Sequence, residues 1–123
     1  MAGPKNILIA EDDLSINRLL TFKLQKEGFN VIATTDGKTA LQTALKEDID
    51  AAVLDIMMPF LDGIQVLKRI KAEKPHLPVI ILSVKSMERD LNQALELGAS
   101  DYITKPFQPG EVIERLNKLL GDI

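Results

Sequence analysis

Apolar positions along this chain switch repeatedly between two rhythms. Asn6 to Ala10 is a short apolar run closed by three acids, Glu11, Asp12 and Asp13. Ile16, Leu19, Leu20 and Leu24 then recur at helical spacing, and Gly28 stands where a helix-ending glycine belongs. Asn30 to Thr34 is a second strand, with Asp36-Gly37 as turn and cap before a helix carrying Ala40, Leu41, Ala44 and Leu45 on its apolar face. Ala51 to Leu54 is a third apolar run, which delivers Asp55 and stops at Met58-Pro59. Asp62 caps a helix with Ile64, Leu67 and Ile70 inward, closed by Pro75 and Pro78. Val79 to Leu82 is the fourth strand, ending at Ser83, and Met87, Leu91, Ala94 and Leu95 mark the fourth helix, closed by Gly98. Asp101 to Thr104 is the fifth strand. Pro109 opens a last helix with Val112, Ile113, Leu116, Leu119 and Leu120 inside, ended by Gly121.

Strand and helix thus alternate five times with short connections. Parallel strands need crossovers, and the crossovers are right-handed, so this rhythm predicts an α/β fold. It would be a doubly wound five-stranded parallel sheet of order 2-1-3-4-5 with five helices, flavodoxin-like in architecture.

Composition narrows the picture. With 123 residues the chain is expected to form a single domain over 1–123. Fifteen Lys+Arg against eighteen Asp+Glu, net −3, give no basic field for nucleic acid. The chain has no cysteine, which excludes disulfide scaffolds and thiolate metal sites and fits a cytoplasmic setting. No apolar run reaches membrane-spanning length, and MAGPKN lacks a signal-peptide core.

In a doubly wound sheet, ligands bind outside the carboxyl ends of the strands, where the strand order reverses. That edge collects Glu11, Asp12 and Asp13 after the first strand, Asp55 after the third, Ser83 after the fourth and Lys105 after the fifth. Grouped carboxylates repel one another unless a cation sits among them. With no His or Cys nearby, the donors are hard oxygens, which suit Mg²⁺, with Mn²⁺ as a substitute. A divalent ion, an ammonium and a hydroxyl together suit a phosphoryl group. Asp55, central in the sheet, is best placed as a carboxylate nucleophile forming an aspartyl phosphate. Taken singly, Asp13 or Asp12 reads equally well as a helix cap, and Ser83 or Lys105 alone would carry no signal; the joint placement does.

From about Asn6 to Leu120 the chain resembles a two-component response regulator receiver domain, CheY-like in form. The resemblance rests on ILIAEDD, AAVLDIMMPFLDG, VIILS and GASDYITKPF in order. It implies that Asp55 is the phosphoacceptor, charged by a histidine kinase or a histidine phosphotransfer protein. It implies Asp12 and Asp55 as direct Mg²⁺ ligands, Glu11 acting mainly through water, and the Met57 carbonyl as a further ligand. Ser83 would bond the phosphoryl group, Lys105 would pair with it, Pro106 would follow a cis bond, and Tyr102 would be the aromatic switch. Asp101, Glu111 and Arg115 match charged positions used for dimerisation in the OmpR/PhoB class, and read equally as a solvated face of mixed charge. Leu91 and Asn117 stand where that class has basic residues. Val84 and Met57 flank the phosphoryl position with bulky apolar groups, which predicts slow loss of phosphate. Ile16, Leu19 and Phe107 border the site as candidate kinase contacts, Leu19 reading equally as core.

Three other readings compete. A phosphohydrolase on a related fold would need an acid two residues beyond the nucleophile, where Met57 stands. A flavin binder would need a hydroxyl- and glycine-rich first loop, not three acids. A degenerate, partner-binding receiver would not need the full residue set. The single histidine, His76, sits in a turn and reads as solvated, as does the basic outer face of Lys68, Arg69, Lys71 and Lys74.

Overall fold

A computed structural model describes residues 3–84 and 88–121. Five strands, β1 (Asn6–Ala10), β2 (Asn30–Thr34), β3 (Ala51–Asp55), β4 (Val79–Val84) and β5 (Asp101–Lys105), alternate with five helices. These are α1 (Leu14–Lys26), α2 (Gly37–Lys46), α3 (Gly63–Glu73), α4 (Glu88–Glu96) and α5 (Pro109–Leu119). All strand pairs are parallel and the order is β2-β1-β3-β4-β5, as the sequence rhythm predicts. Met87, expected on the fourth helix, lies outside the described residues.

The sheet sorts its side chains by parity, because successive residues of a strand point to opposite faces. Leu8, Ala10, Ala52, Leu54, Val79 and Ile81 pack under α2, α3 and α4, with Ala40, Leu41, Val66, Leu67, Ile70 and Ala94. Ile7, Ile9, Ala51, Val53, Ile80 and Leu82 face α1 and α5, with Leu20, Leu24, Val112 and Leu116. Every residue of β3 is buried, which is why its sequence is a continuous apolar run rather than an alternation.

Local chemistry sets the helix starts. The Asp13 carboxylate accepts from the N–H groups of Ser15 and Ile16, Asp36 from Thr39 and Asp62 from Gln65. Each satisfies first-turn donors that no helical carbonyl can reach. Pro109 occupies the first turn of α5. Gly28 and Gly98 take φ of 95° and 106° just past α1 and α4, where a Cβ would be strained.

The helix faces differ in detail from the sequence expectation. Leu19, Leu45 and Leu95 are 47%, 37% and 41% exposed, at the margins of their apolar stripes. On α3 the fully buried Val66 joins Leu67 and Ile70, while Ile64 is half-buried.

The loop after β3 holds a backbone outlier. Phe60 has φ of 69° and its side chain is 88% exposed. Left-handed backbone costs an L-residue about 1–2 kcal/mol, and asparagine tolerates it better than phenylalanine. Phe60→Asn is therefore expected to raise stability by roughly 0.5–1 kcal/mol, read as a higher urea midpoint at unchanged slope. A lower midpoint would mean that the ring holds the loop in place.

Candidate functional site

Because β1 and β3 are adjacent in the middle of the sheet, the acids that follow β1 meet the acid that ends β3. Glu11 lies one residue beyond β1 and is fully buried, Asp12 is exposed, and Asp55 closes β3 at 5% exposure. Carboxylate oxygens of the three lie within 4.8 Å of one another. The β5 strand delivers Lys105 across β4, and its Nζ stands 2.7 Å from Asp55 Oδ2 and 2.7 Å from Glu11 Oε1. Asp55 Oδ1 accepts from the Met57 N–H at 3.2 Å, and Glu11 Oε2 from the Asp13 N–H at 3.0 Å. The Lys105–Pro106 peptide is cis.

Burial pushes the Glu11 carboxyl up to about 7, against the pull of the Lys105 ammonium, with the neighbouring Asp55 adding to the rise. Burial also disfavours the Lys105 charge, but its bonds to Asp55 and Glu11 outweigh that, and its pKa is raised. One ammonium among three carboxylates leaves an excess of negative charge in a largely buried place. An oxygen-only donor set with excess negative charge fits a hard divalent cation.

Ser83, at the end of β4, is 2% exposed, and its Oγ has no hydrogen-bond partner among the described residues. A buried hydroxyl without a partner is costly, so this one is disposed to take an acceptor. Together Glu11, Asp12, Asp13, Asp55, Met57, Val84 and Lys105 line a cavity of about 280 Å³. Met57 and Val84 stand at its mouth, 62% and 40% exposed. Tyr102 lies outside it on β5, 40% exposed, its backbone carbonyl accepting from Arg115 Nη1 at 3.4 Å. The same guanidinium holds Asp101 at 2.7 Å.

Sequence reasoning missed two residues here. Asn17 is 5% exposed, and its side-chain amide donates to the carbonyls of Glu11 and Thr34, both at 2.9 Å. Thr34, 6% exposed, donates its hydroxyl to the Ile9 carbonyl at 2.8 Å. The signal for Asn17 was its spacing, three residues before Leu20 and seven before Leu24, on the inward stripe of α1. Among the described residues, no helix is long and apolar enough to cross a membrane.

Comparison with known proteins finds relatives both by sequence and by fold. The profile of the response regulator receiver domain family matches residues 7–117. The alkaline phosphatase synthesis transcriptional regulatory protein PhoP of Bacillus subtilis (strain 168) is 45% identical over 116 residues, 94% of this chain and 48% of PhoP. The chain spans about half the length of the curated relatives it matches. Among solved structures, a CheY-like response regulator receiver domain protein from Methanospirillum hungatei JF-1 superposes with TM-score 0.93 at 26% identity, covering 98% of this chain and 96% of that one. The receiver domain of the sensor histidine kinase PA1611 from Pseudomonas aeruginosa PAO1 superposes with TM-score 0.87 at 30% identity over 98% and 99% of the two chains. That structure has a magnesium ion coordinated in its active site cleft. By sequence and by fold, this chain belongs to the response regulator receiver domain family.

Proposed function

We propose that Asp55 accepts a phosphoryl group from a phosphohistidine of a histidine kinase or histidine phosphotransfer protein. The observation that carries this reading is the buried Asp55 carboxylate at the end of β3, with Lys105 2.7 Å from one oxygen and two further acids beside it. In the transfer, an Asp55 carboxylate oxygen attacks phosphorus and the donor's N–P bond breaks. The bonding pair returns to the imidazole, which leaves neutral or takes a proton from solvent. Lys105 and the Ser83 hydroxyl then serve as partners for the new phosphoryl oxygens.

Asp12 and Asp55, with Glu11 acting through water and the Met57 carbonyl as a further donor, would hold Mg²⁺, or Mn²⁺ in its place. When bound, the ion supplies positive charge to offset that of the incoming phosphoryl group. The magnesium in the PA1611 receiver supports this assignment. The domain would assist its own phosphorylation and dephosphorylation without turning over an independent substrate.

Phosphorylation adds about −1.5 to −2 charges at one point. The conformer in which Ser83 and Lys105 both reach that charge is favoured, and Tyr102 turns inward as Ser83 moves. The surface of α4, β5 and α5 changes as a result and controls an output domain or partner, in the cytoplasm. Homodimerisation through this face, as in the OmpR/PhoB class, is the form we favour for that output. It would require Arg115 to exchange its Asp101 contact within the chain for one across the interface. The donor docks, on this reading, at the apolar groove of about 330 Å³ lined by Ile16, Leu19, Leu20, Val84, Pro106, Phe107 and the Lys105 stem.

Intact mass after incubation with acetyl phosphate tests the reading. A gain of one phosphoryl group with Mg²⁺, lost with EDTA, is expected, and the label should outlast a timescale of seconds because Met57 and Val84 shield the mouth. No gain by folded protein with either acetyl phosphate or a phosphorylated donor would refute it.

A further inference from the structure

Beyond β1 the ladder to β2 has one more rung, from the Glu11 N–H to the Thr34 carbonyl at 3.1 Å. There the Asn17 side chain enters from α1. Its Nδ2 donates at 2.9 Å both to that Thr34 carbonyl and to the carbonyl of Glu11 itself. Two carbonyls as acceptors leave only the nitrogen side of the amide able to face them. The main chain of Glu11 is thus held at both ends, its N–H by β2 and its carbonyl by α1.

The same turn is tied from the other side. Glu11 Oε2 accepts the Asp13 N–H, the Asp13 carboxylate caps α1, and the Asn17 N–H donates to the Asp13 carbonyl at 2.9 Å. Asp12, the exposed member of the acid cluster, sits between these two anchored residues. The Asp12 side chain makes no hydrogen bond of its own among the described residues that would fix it.

We infer that Asn17 is a positioning residue for the cation site, aiming the Glu11–Asp12 backbone so that the three carboxylates converge. It acts through the Glu11 carbonyl, out of contact with any ligand. This rests on the proposed reading of Glu11, Asp12 and Asp55 as the cation site. Groups that orient metal ligands from behind commonly change metal affinity about 10–100-fold when removed.

The test compares wild type with Asn17→Leu, close in volume but without donors, and Asn17→Ser, smaller with one donor kept. Three quantities are read: Mg²⁺ affinity by calorimetric titration, amide hydrogen exchange of Glu11 and Asp13 in metal-free protein, both amides being hydrogen-bonded, and the urea midpoint. The expected result is Mg²⁺ affinity lowered at least about tenfold in Asn17→Leu, with a smaller loss in Asn17→Ser. Faster Glu11 and Asp13 exchange without metal should accompany it, beyond what the change in urea midpoint accounts for. Affinity within twofold of wild type in a folded variant, or exchange that rises only in step with global stability, overturns the inference. If Asn17→Leu does not fold, Asn17→Ser alone decides by the same criteria. Wild type that binds no Mg²⁺ would instead refute the cation-site reading on which this stands.

Discussion

Asp55→Asn is expected to gain no phosphoryl group from acetyl phosphate and Mg²⁺, under conditions where wild type gains one. The substitution keeps the shape of the side chain and its place at the end of β3. It removes the anionic oxygen that would attack phosphorus, and an amide oxygen is far too weak a nucleophile to replace it. Neighbouring acids should not take over. Glu11 is fully buried and pinned by the Asp13 N–H and Lys105, and Asp12 is exposed to water that would compete with it. The introduced amide leaves Lys105 with Glu11 as its remaining carboxylate partner at 2.7 Å, so the variant should stay folded. Intact mass with circular dichroism as the folding control checks the outcome. A label that persists in the folded variant would place the acceptor elsewhere in the chain.

Gly63→Ala is expected to be strongly damaging, and its effect falls directly on the strand end that carries Asp55. Gly63 is the first residue of α3, buried, and its N–H donates to the Ile56 carbonyl at 2.8 Å. A Cβ there would overlap the Asp55 carbonyl oxygen and come within 2.8 Å of Ile56 Cα. Both obstacles are main chain, so no rotamer change relieves the clash. The start of α3 would have to withdraw from β3, loosening the packing of Val66, Leu67 and Ile70 beneath it. Overpacking of this kind costs about 1–3 kcal/mol, and with immovable backbone on both sides the upper end is expected. Phosphorylation should slow as well, since the displaced backbone carries Asp55. Gly110→Ala is the matched control: it lies within the first turns of α5, and a Cβ there meets nothing within 4 Å. Alanine in a helix is favoured over glycine by up to about 1 kcal/mol, so this variant should be neutral or slightly more stable. Urea unfolding of the pair reads the contrast. Equal midpoints would mean that the β3–α3 junction yields more easily than its contacts imply.

Much of the architecture was legible in the sequence because it depends on local periodicity. A strand buried on both faces must be apolar throughout, so Ala51 to Leu54 declared itself, and the five strand-helix alternations left few topologies open. The caps Asp13, Asp36 and Asp62 were readable because a helix start needs an acceptor at a fixed offset. The candidate site was legible for a related reason. In a parallel sheet every strand delivers its last residue to one edge, so Glu11, Asp12, Asp55, Ser83 and Lys105 could be grouped before any distance was known.

What periodicity could not give was the margin of each face and the partners of each polar group. Leu19, Leu45 and Leu95 fit the helical spacing yet remain more than a third exposed, because the width of a stripe is set by the neighbour it packs against. Asn17 drew no reading from the sequence, and only the approach of α1 to the ends of β1 and β2 made it a buried donor to two carbonyls. The sequence by itself determined the order of elements and the kinds of groups at the sheet edge. The tertiary structure alone decided that Lys105 reaches both Glu11 and Asp55, that burial pushes the Glu11 carboxyl up to about 7, and that the Ser83 hydroxyl is buried without a partner among the described residues. Desolvation and pairing depend on what the rest of the chain places around a group, and no local pattern encodes that.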